Sequence, residues 1–211
     1  MHIMGRIPTM PDNQELTTER LAQAGLGSFF RPRDLEPLGI SEPMLRTLVR
    51  KGVVERVARG LYHLSAAEVA EHYSVAAACA RSPRAIVCLL TALRMHGIGT
   101  RQSPEVWLAI PHGSHTPRSE IASVRTVKFS GVLLTAGVRP TRIDGVPTKI
   151  TDAARTIIDC LRLTRLIDRE TAHEAAREGI RSRQVTTNSL LRMAKQCRVA
   201  NRLRQEIELL S

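Results

Sequence analysis

Residues 41–51 carry apolar side chains at the three- and four-residue spacing of an amphipathic helix. At 100° per residue, one arc of this helix holds the apolar residues Met44, Leu45, Leu48 and Val49. The opposite arc holds Glu42, Pro43, Arg46, Thr47 and Arg50. Ser41 is a typical N-cap residue, and Gly52 is a typical helix terminator. We therefore expect one side of the helix to pack and the other to face outward.

The flanking segments extend this helix into a larger motif. Residues 32–38 predict a short helix opened by Pro32, and Gly39 allows a sharp turn after it. Downstream, the pattern predicts two short strands, 54–57 and 61–64, around a turn at 58–60. A helix, a tight turn, a second helix and a basic hairpin together predict a winged helix-turn-helix.

The outward arc carries the chemistry of DNA recognition. A major groove about 12 Å wide admits one helix, and an arginine there can pair with guanine through two parallel hydrogen bonds. Arginines on a flanking hairpin are placed for phosphate or the minor groove. The candidate DNA-binding residues are Glu42, Pro43, Arg46, Thr47, Arg50, Lys51, Arg56 and Arg59. Two alternatives stay open at this point, a solvated basic face and a protein-binding module.

The charge of the whole chain favours a polyanionic partner. The 31 Lys and Arg residues exceed the 20 Asp and Glu residues, which gives a net charge of +11. Residues 1–70 carry +1, residues 71–150 carry +6 and residues 151–211 carry +4. The second half therefore either touches backbone phosphate as well or meets an acidic protein partner. Aromatic residues make up only 3% of the chain, which argues against a module that stacks single-stranded bases.

Other compositional features exclude several classes of protein. No run approaches the ~18 apolar residues of a membrane span, and the N-terminus lacks the apolar core of a signal peptide, so we expect a cytoplasmic protein without membrane contact. The four cysteines contain no C-x-x-C pair, so neither a metal knuckle nor a disulfide framework is expected. No cofactor is expected either.

The remaining pattern predicts an α+β fold with two domains. An Asp12–Glu15 capping box predicts a first helix through Ala24, and residues 1–11 lack periodicity and are expected to be disordered. We expect the winged helix-turn-helix domain to span 12–65 and a larger α+β domain to span 66–211. In the second domain we expect helices at 66–80, from 82 to 97, 153–163, 168–179 and 188–210. Strands are expected at 106–110, 124–129 and 132–138, with a hairpin turn at Asp144-Gly145.

An enzymatic function lacks its residues in this sequence. The loop 111–117, PHGSHTP, contains a Gly-Ser pair of the kind a nucleotidyltransferase uses to hold phosphate. No Asp-x-Asp pair follows it, so the ligands for two-metal phosphoryl transfer are missing. No Glu-x-Lys nuclease motif occurs either. His112 and His115 lie in a loop without a third ligand nearby, so we expect exposed loop histidines and no enzyme.

Four segments carry a resemblance to a known family. They are LRTLVRKGVVERVARGLYHLS, RAIVCLLTALRMHGI, EVWLAIP and TDAARTIIDC. Together they resemble the AbiE-type antitoxins of bacterial type IV toxin-antitoxin systems. The resemblance implies a winged helix that represses its own operon at inverted repeats, and a C-terminal domain that counters a nucleotidyltransferase toxin. It places the DNA contacts on seven of the eight candidate residues named above, all except Lys51. Arg155, Thr156 and Asp159 match the family's R-T-x-x-D helix, where capping or pairing across one turn is expected.

A second hypothesis is a freestanding winged-helix regulator whose α+β domain dimerises or senses a ligand. An RNA-binding or enzymatic protein is disfavoured by the low aromatic content and the missing acids. Because one winged helix reads only a short half-site, we expect a monomer or weak dimer that occupies a paired, inverted-repeat operator of double-stranded DNA cooperatively.

Overall fold

A computed structural model of the chain describes residues 18–65, 72–101, 103–116 and 122–210. It divides into two compact units, Met1–Arg81 with Arg142–Pro147, and Ser82–Thr141 with Thr148–Ser211. The boundary that the sequence places at residue 65 stays a prediction, and the compact first unit extends beyond it. The predicted Asp12–Glu15 capping box, the segment 1–11 and the start of the helix 66–80 lie outside the described residues.

The first unit contains the winged helix-turn-helix. Its elements in chain order are α1 (Thr18–Gln23), β1 (Phe29–Phe30), α2 (Pro32–Leu35) with a 3₁₀ turn (Glu36–Leu38), α3 (Glu42–Arg50), β2 (Val54–Ala58), β3 (Leu61–Leu64) and α4 (Tyr73–Arg81). The strands form an antiparallel sheet in the order β1-β3-β2. Its core contains Leu21, Leu35, Leu45 and Leu48 from the helices, with Val54 from the sheet. The predicted order of helix, turn, helix and hairpin is confirmed.

Local signals explain the turns of this motif. Gly39 has a left-handed backbone (φ 72°), which allows the sharp break between the 3₁₀ turn and α3. Gly52 (φ 71°) follows α3, and the amide of Val53 donates to Leu48 O at 3.1 Å, which closes the last helical turn. Ser41 occupies the predicted N-cap position, but its side chain makes no capping hydrogen bond.

The second unit is α+β. Its elements are β4 (Ile86–Val87), α5 (Leu89–Met95), β5 (Val106–Pro111), β6 (Val124–Phe129), a 3₁₀ turn (Gly131–Leu134), β7 (Val138–Ile143), β8 (Val146–Thr151), α6 (Ala153–Arg162), α7 (Arg169–Arg181), α8 (Thr187–Gln196) and α9 (Ala200–Glu208). The sheet has the order β6-β5-β4-β8-β7, and Asp144-Gly145 forms the turn before β8 as predicted. The tip of this hairpin, Arg142–Pro147, is grouped with the first unit. The unit's core cluster combines sheet residues such as Trp107 with helix residues such as Ile157 and Leu190. The predicted α+β class is confirmed.

Three predicted elements of this unit are wrong. Ile86 and Val87, expected on a helix, form a strand because they pair with β5 and β8. Residues 132–138, expected as a strand, hold the 3₁₀ turn, since positive φ at Gly131 and Gly137 breaks the extended backbone. The expected helix 188–210 is two helices, α8 and α9, separated where Arg198 takes a φ of 60°. These deviations depend on strand pairing and backbone conformations that apolar periodicity does not report.

Candidate nucleic-acid interface

Helix α3 presents one packed side and one exposed side. Leu45 and Leu48 are only 2% and 4% exposed, and they hold the helix against the core of the first unit. On the opposite side, Glu42, Pro43, Arg46 and Arg50 are exposed, and Thr47 is half-buried. The prediction that Met44 joins the packed side is wrong, because this side chain is 42% exposed at the edge of the apolar arc.

Arg46 is paired with an acid of its own helix. Its Nη2 lies 2.7 Å from Glu42 Oε1, one turn earlier. The hydrogen bond to this carboxylate raises the pKa of Arg46, and the charge of Glu42 adds to the effect. Both side chains are highly exposed, and solvent screens exposed pairs of this kind so that they contribute little to stability. Arg46 can therefore leave Glu42 for a nucleic-acid acceptor at small cost.

Arg50 is held by a threonine on the same face. Thr47 Oγ1 donates to Pro43 O at 3.1 Å, and Arg50 Nη2 donates to Thr47 Oγ1 at 3.2 Å. Since a guanidinium carries five donors, Arg50 keeps further N–H groups for a ligand after this contact. The chain Pro43, Thr47, Arg50 orients one guanidinium along the outer side of α3.

The wing extends the basic surface beyond α3. Arg56 on β2 and Arg59 in the turn to β3 are both exposed. The register between β2 and β3 shifts between Arg56 and Ala58, so a bulge precedes the turn. Tyr62 on β3 is the cross-strand partner of Arg56. Its ring stacks on Phe30 of β1 with centroids 5.9 Å apart, and this contact stabilises the hairpin against β1. Lys51, also exposed, follows the last residue of α3.

Comparison with known families supports the identity of this motif. The model of the family described as transcriptional regulator, AbiEi antitoxin, matches residues 19–65. The predicted resemblance to AbiEi antitoxins is confirmed for this segment. The match holds all eight candidate DNA-binding residues, although it does not test their individual roles. The family is described as one of transcriptional regulators, and residues 19–65 of this chain are similar to it.

One solved structure extends the comparison to most of the chain. The crystal structure of the RV2827C protein from Mycobacterium tuberculosis matches with a TM-score of 0.56 and 14% sequence identity. The match covers 84% of this chain and 69% of that chain. At this sequence identity the similarity shows the fold alone. The shared fold extends well beyond residues 19–65, since it covers 84% of this chain. A search of the curated proteins gave no match.

The Arg155, Thr156 and Asp159 group outside the AbiEi match is internal. All three residues are fully buried, and Arg155 Nε donates to Asp159 Oδ2 at 3.0 Å, which confirms the expected pairing across one turn. Arg155 also donates to Leu133 O and Ala136 O, so it ties α6 to the backbone of the 3₁₀ turn region. The sequence showed the pairing but gave no sign of these carbonyl contacts.

The histidines and cysteines form no reactive centre in the described residues. His112 and His115 are exposed, as predicted, and the described part of the chain contains no group of three His, Cys, Asp or Glu residues able to hold a metal. All four cysteines are buried. Burial raises the pKa of the Cys88 and Cys160 thiols, which keeps them protonated and unreactive. Among the described helices, none is long and apolar enough to cross a membrane.

A polar cleft of about 210 Å³ lies in the second unit. Trp107 lies beneath it, and Arg125 covers the indole at 4.8 Å from the ring centroid while donating to Glu105 at 3.2 Å. On another wall, Arg101 lies 3.2 Å from Asp168. Sequence reasoning missed this cleft, because its residues come from segments far apart in the chain.

Proposed function

We propose that this protein is an antitoxin that binds operator DNA through its winged helix and represses its own operon. Its second unit counters a nucleotidyltransferase toxin encoded nearby. The observation that carries the proposal is the exposed basic side of α3, backed by a buried apolar side, inside the segment that matches the AbiEi family. The two wing arginines add positive charge to the same domain, which suits the phosphate backbone of DNA.

We propose a role for each candidate residue from its position on the helix or the wing. Arg46 and Arg50 contact base edges in the major groove, with Glu42, Pro43 and Thr47 around them. Arg56 and Arg59 contact phosphate or the minor groove, and Lys51 contacts phosphate at the end of the helix.

DNA binding is tested on fragments that tile the region upstream of the protein's own gene. Fluorescence anisotropy is measured with the full chain and with the Arg46→Ala, Arg50→Ala double variant. We expect one fragment to bind at least about a thousand-fold more tightly than random duplex, which is the low end for specific recognition. The double variant should lose that preference. Identical binding curves for the two proteins on every fragment would remove α3 from the interface.

The antitoxin function is tested by growth. The full chain is co-expressed with the product of the adjacent gene, and colonies are counted with and without induction. Rescue by the full chain, and toxicity without it, supports the proposal. An adjacent product that is harmless alone would count against a toxin-antitoxin pair.

A second candidate function is a freestanding regulator whose second unit senses a small ligand. The polar cleft beside Trp107 favours it, since two arginines and two acids converge there. Small-molecule sites usually measure about 300–1,000 Å³, so this cleft fits only a small polar molecule. A change in Trp107 fluorescence on adding metabolites, together with altered DNA affinity, would favour this function over the antitoxin.

A further inference from the structure

Met44 is an exposed apolar side chain at the edge of the apolar arc of α3, where that arc meets the polar side. It is 42% exposed, whereas Leu45 beside it is 2% exposed. At 100° per residue, Met44 points between the directions of Lys51 and Leu48, on the flank opposite Glu42 and about 60° from Thr47. It also lies in the first turn of the helix, and the N-terminal residues of a recognition helix are the ones that contact base edges.

Thr47, three residues later, offers its methyl group to the same flank. Its hydroxyl is engaged, because Oγ1 donates to Pro43 O at 3.1 Å and accepts from Arg50 Nη2 at 3.2 Å. A threonine hydroxyl has one hydrogen to donate, and this hydrogen is used inside the helix. The methyl group is then the apolar part of Thr47 left for a ligand, beside one remaining lone pair of the hydroxyl. Side chains three apart on a helix are neighbours, so Met44 and Thr47 form one small apolar patch.

The major groove offers one kind of apolar group to such a patch. Of the four bases, only thymine presents a methyl group there, while the others present hydrogen-bond donors and acceptors. We infer that Met44 and Thr47 read thymine methyl groups, next to the bases contacted by Arg46 and Arg50. The inference rests on the proposed DNA binding by α3 and adds a determinant of which sequence is bound.

Deoxyuridine isolates this contact. It pairs like thymine and presents the same acceptor, but it lacks the methyl group. Losing one buried methyl group should weaken binding about four-fold, since burial of one such group contributes about 0.8 kcal/mol. The loss should occur at the one or two thymines of each half-site that face Met44 and Thr47, and not at other thymines.

The experiment begins with selection of bound duplexes from a random pool by the full chain, which defines a preferred sequence. Each thymine of that sequence is then replaced singly by deoxyuridine, and affinity is measured by anisotropy. For the wild type we expect the about four-fold loss at specific positions. Met44→Ala should abolish the thymine preference at one of them, and Met44→Leu should keep it.

Two substitutions separate the two groups of Thr47. Thr47→Ser keeps the hydroxyl that holds Arg50 and removes the methyl group, so it should lose the thymine preference. Thr47→Val keeps a methyl group and removes the hydroxyl, so it should keep the preference while binding more weakly overall. Leu209→Ala is the matched control, because Leu209 is an exposed apolar residue (77%) on another helix end.

The possible outcomes are distinct. Equal wild-type affinity for thymine and deoxyuridine at every position overturns the inference. Thymine preference that survives in the Met44→Ala, Thr47→Ser double variant overturns it as well. Selection that enriches no sequence at all instead overturns the proposed DNA recognition.

Discussion

Arg46 and Arg59 are both exposed arginines, but Arg46 is on a helix and Arg59 is in the turn of the wing. Arg46 is on α3, where a guanidinium can reach a base edge, so Arg46→Ala should weaken operator binding by about 1–3 kcal/mol and leave random duplex nearly unaffected. Arg59 is in the wing turn, so Arg59→Ala should weaken both kinds of binding and make the salt dependence shallower. Anisotropy titrations at several salt concentrations measure both effects. Two variants with the same specificity loss would contradict this division.

His63 makes a second residue-level prediction, on stability against pH. The ring is 5% exposed and lies against Phe29 and Tyr73, with centroids 4.8 and 5.1 Å away. Burial lowers the pKa of His63 below its ordinary 6.5, although the charges of Glu55 and Asp144 oppose the shift. A group with a lowered folded pKa contributes stability that is complete above its unfolded pKa and is lost as the pH falls through its folded pKa.

The free energy of unfolding should therefore fall as the pH drops from 7 to 5, and His63→Phe should flatten that fall. Chemical denaturation at each pH gives the two profiles. His112→Gln is the control, since it removes an exposed loop histidine and leaves His63 in place. A His63→Phe profile parallel to the wild type would show that His63 does not titrate in this window.

At the level of elements, the turn before β7 depends on a glycine at Gly137. Its φ is 63°, and a Cβ there would lie 2.5 Å from the Cβ of Arg155. Gly131, at the start of the 3₁₀ turn, has a φ of 54°. A Cβ added at Gly131 would have no atom within 4 Å. Gly131→Ala should cost only the backbone strain, about 1–2 kcal/mol, whereas Gly137→Ala adds a clash with a buried ion pair.

Thermal unfolding of the two variants checks this difference. A lower melting temperature for Gly137→Ala than for Gly131→Ala is expected. Equal melting temperatures would mean that Arg155 shifts freely, despite its hydrogen bonds to Asp159 and Leu133.

The same elements show what sequence could and could not predict. Helix α3 and its wing were predictable because their signals are local, from Gly39 and Gly52 at the turns to Leu45 and Leu48 on the packed side. Strand β4 was not, because Ile86 and Val87 become a strand only through partners at 108–109 and 149–150. At the candidate interface, the polar arc followed from periodicity. The exposure of Met44 could not be predicted in this way, because the burial of a residue at the edge of an apolar arc depends on which residues pack against it.

At the level of the whole molecule, the net charge of +11 favours binding to DNA but does not set the number of copies bound. One winged module buries about 600–1,000 Å² on DNA, which is small for specific repression. We expect two copies to bind paired half-sites cooperatively, with two protected stretches in a footprint one or more helical turns apart. Titration that saturates at one protein per operator would contradict this expectation.

The last prediction concerns separate use of the two activities. All candidate base-reading residues lie on α3, whereas the proposed toxin-directed activity belongs to the second unit. Arg46 and Arg50 are exposed, so their replacement by alanine should leave both cores intact and have little effect on folding. In the full chain, the Arg46→Ala, Arg50→Ala variant should therefore lose repression of a promoter reporter while still rescuing growth from the toxin.

Protein levels must be matched in that experiment, because loss of repression by itself raises expression from the native promoter. Both proteins are thus expressed from an unrelated promoter and quantified by immunoblot. Arg177→Ala, an exposed arginine of α7, is the control for loss of charge. Rescue that disappears with repression at equal protein levels would mean that protection acts through DNA binding, and the second unit would then need a different function.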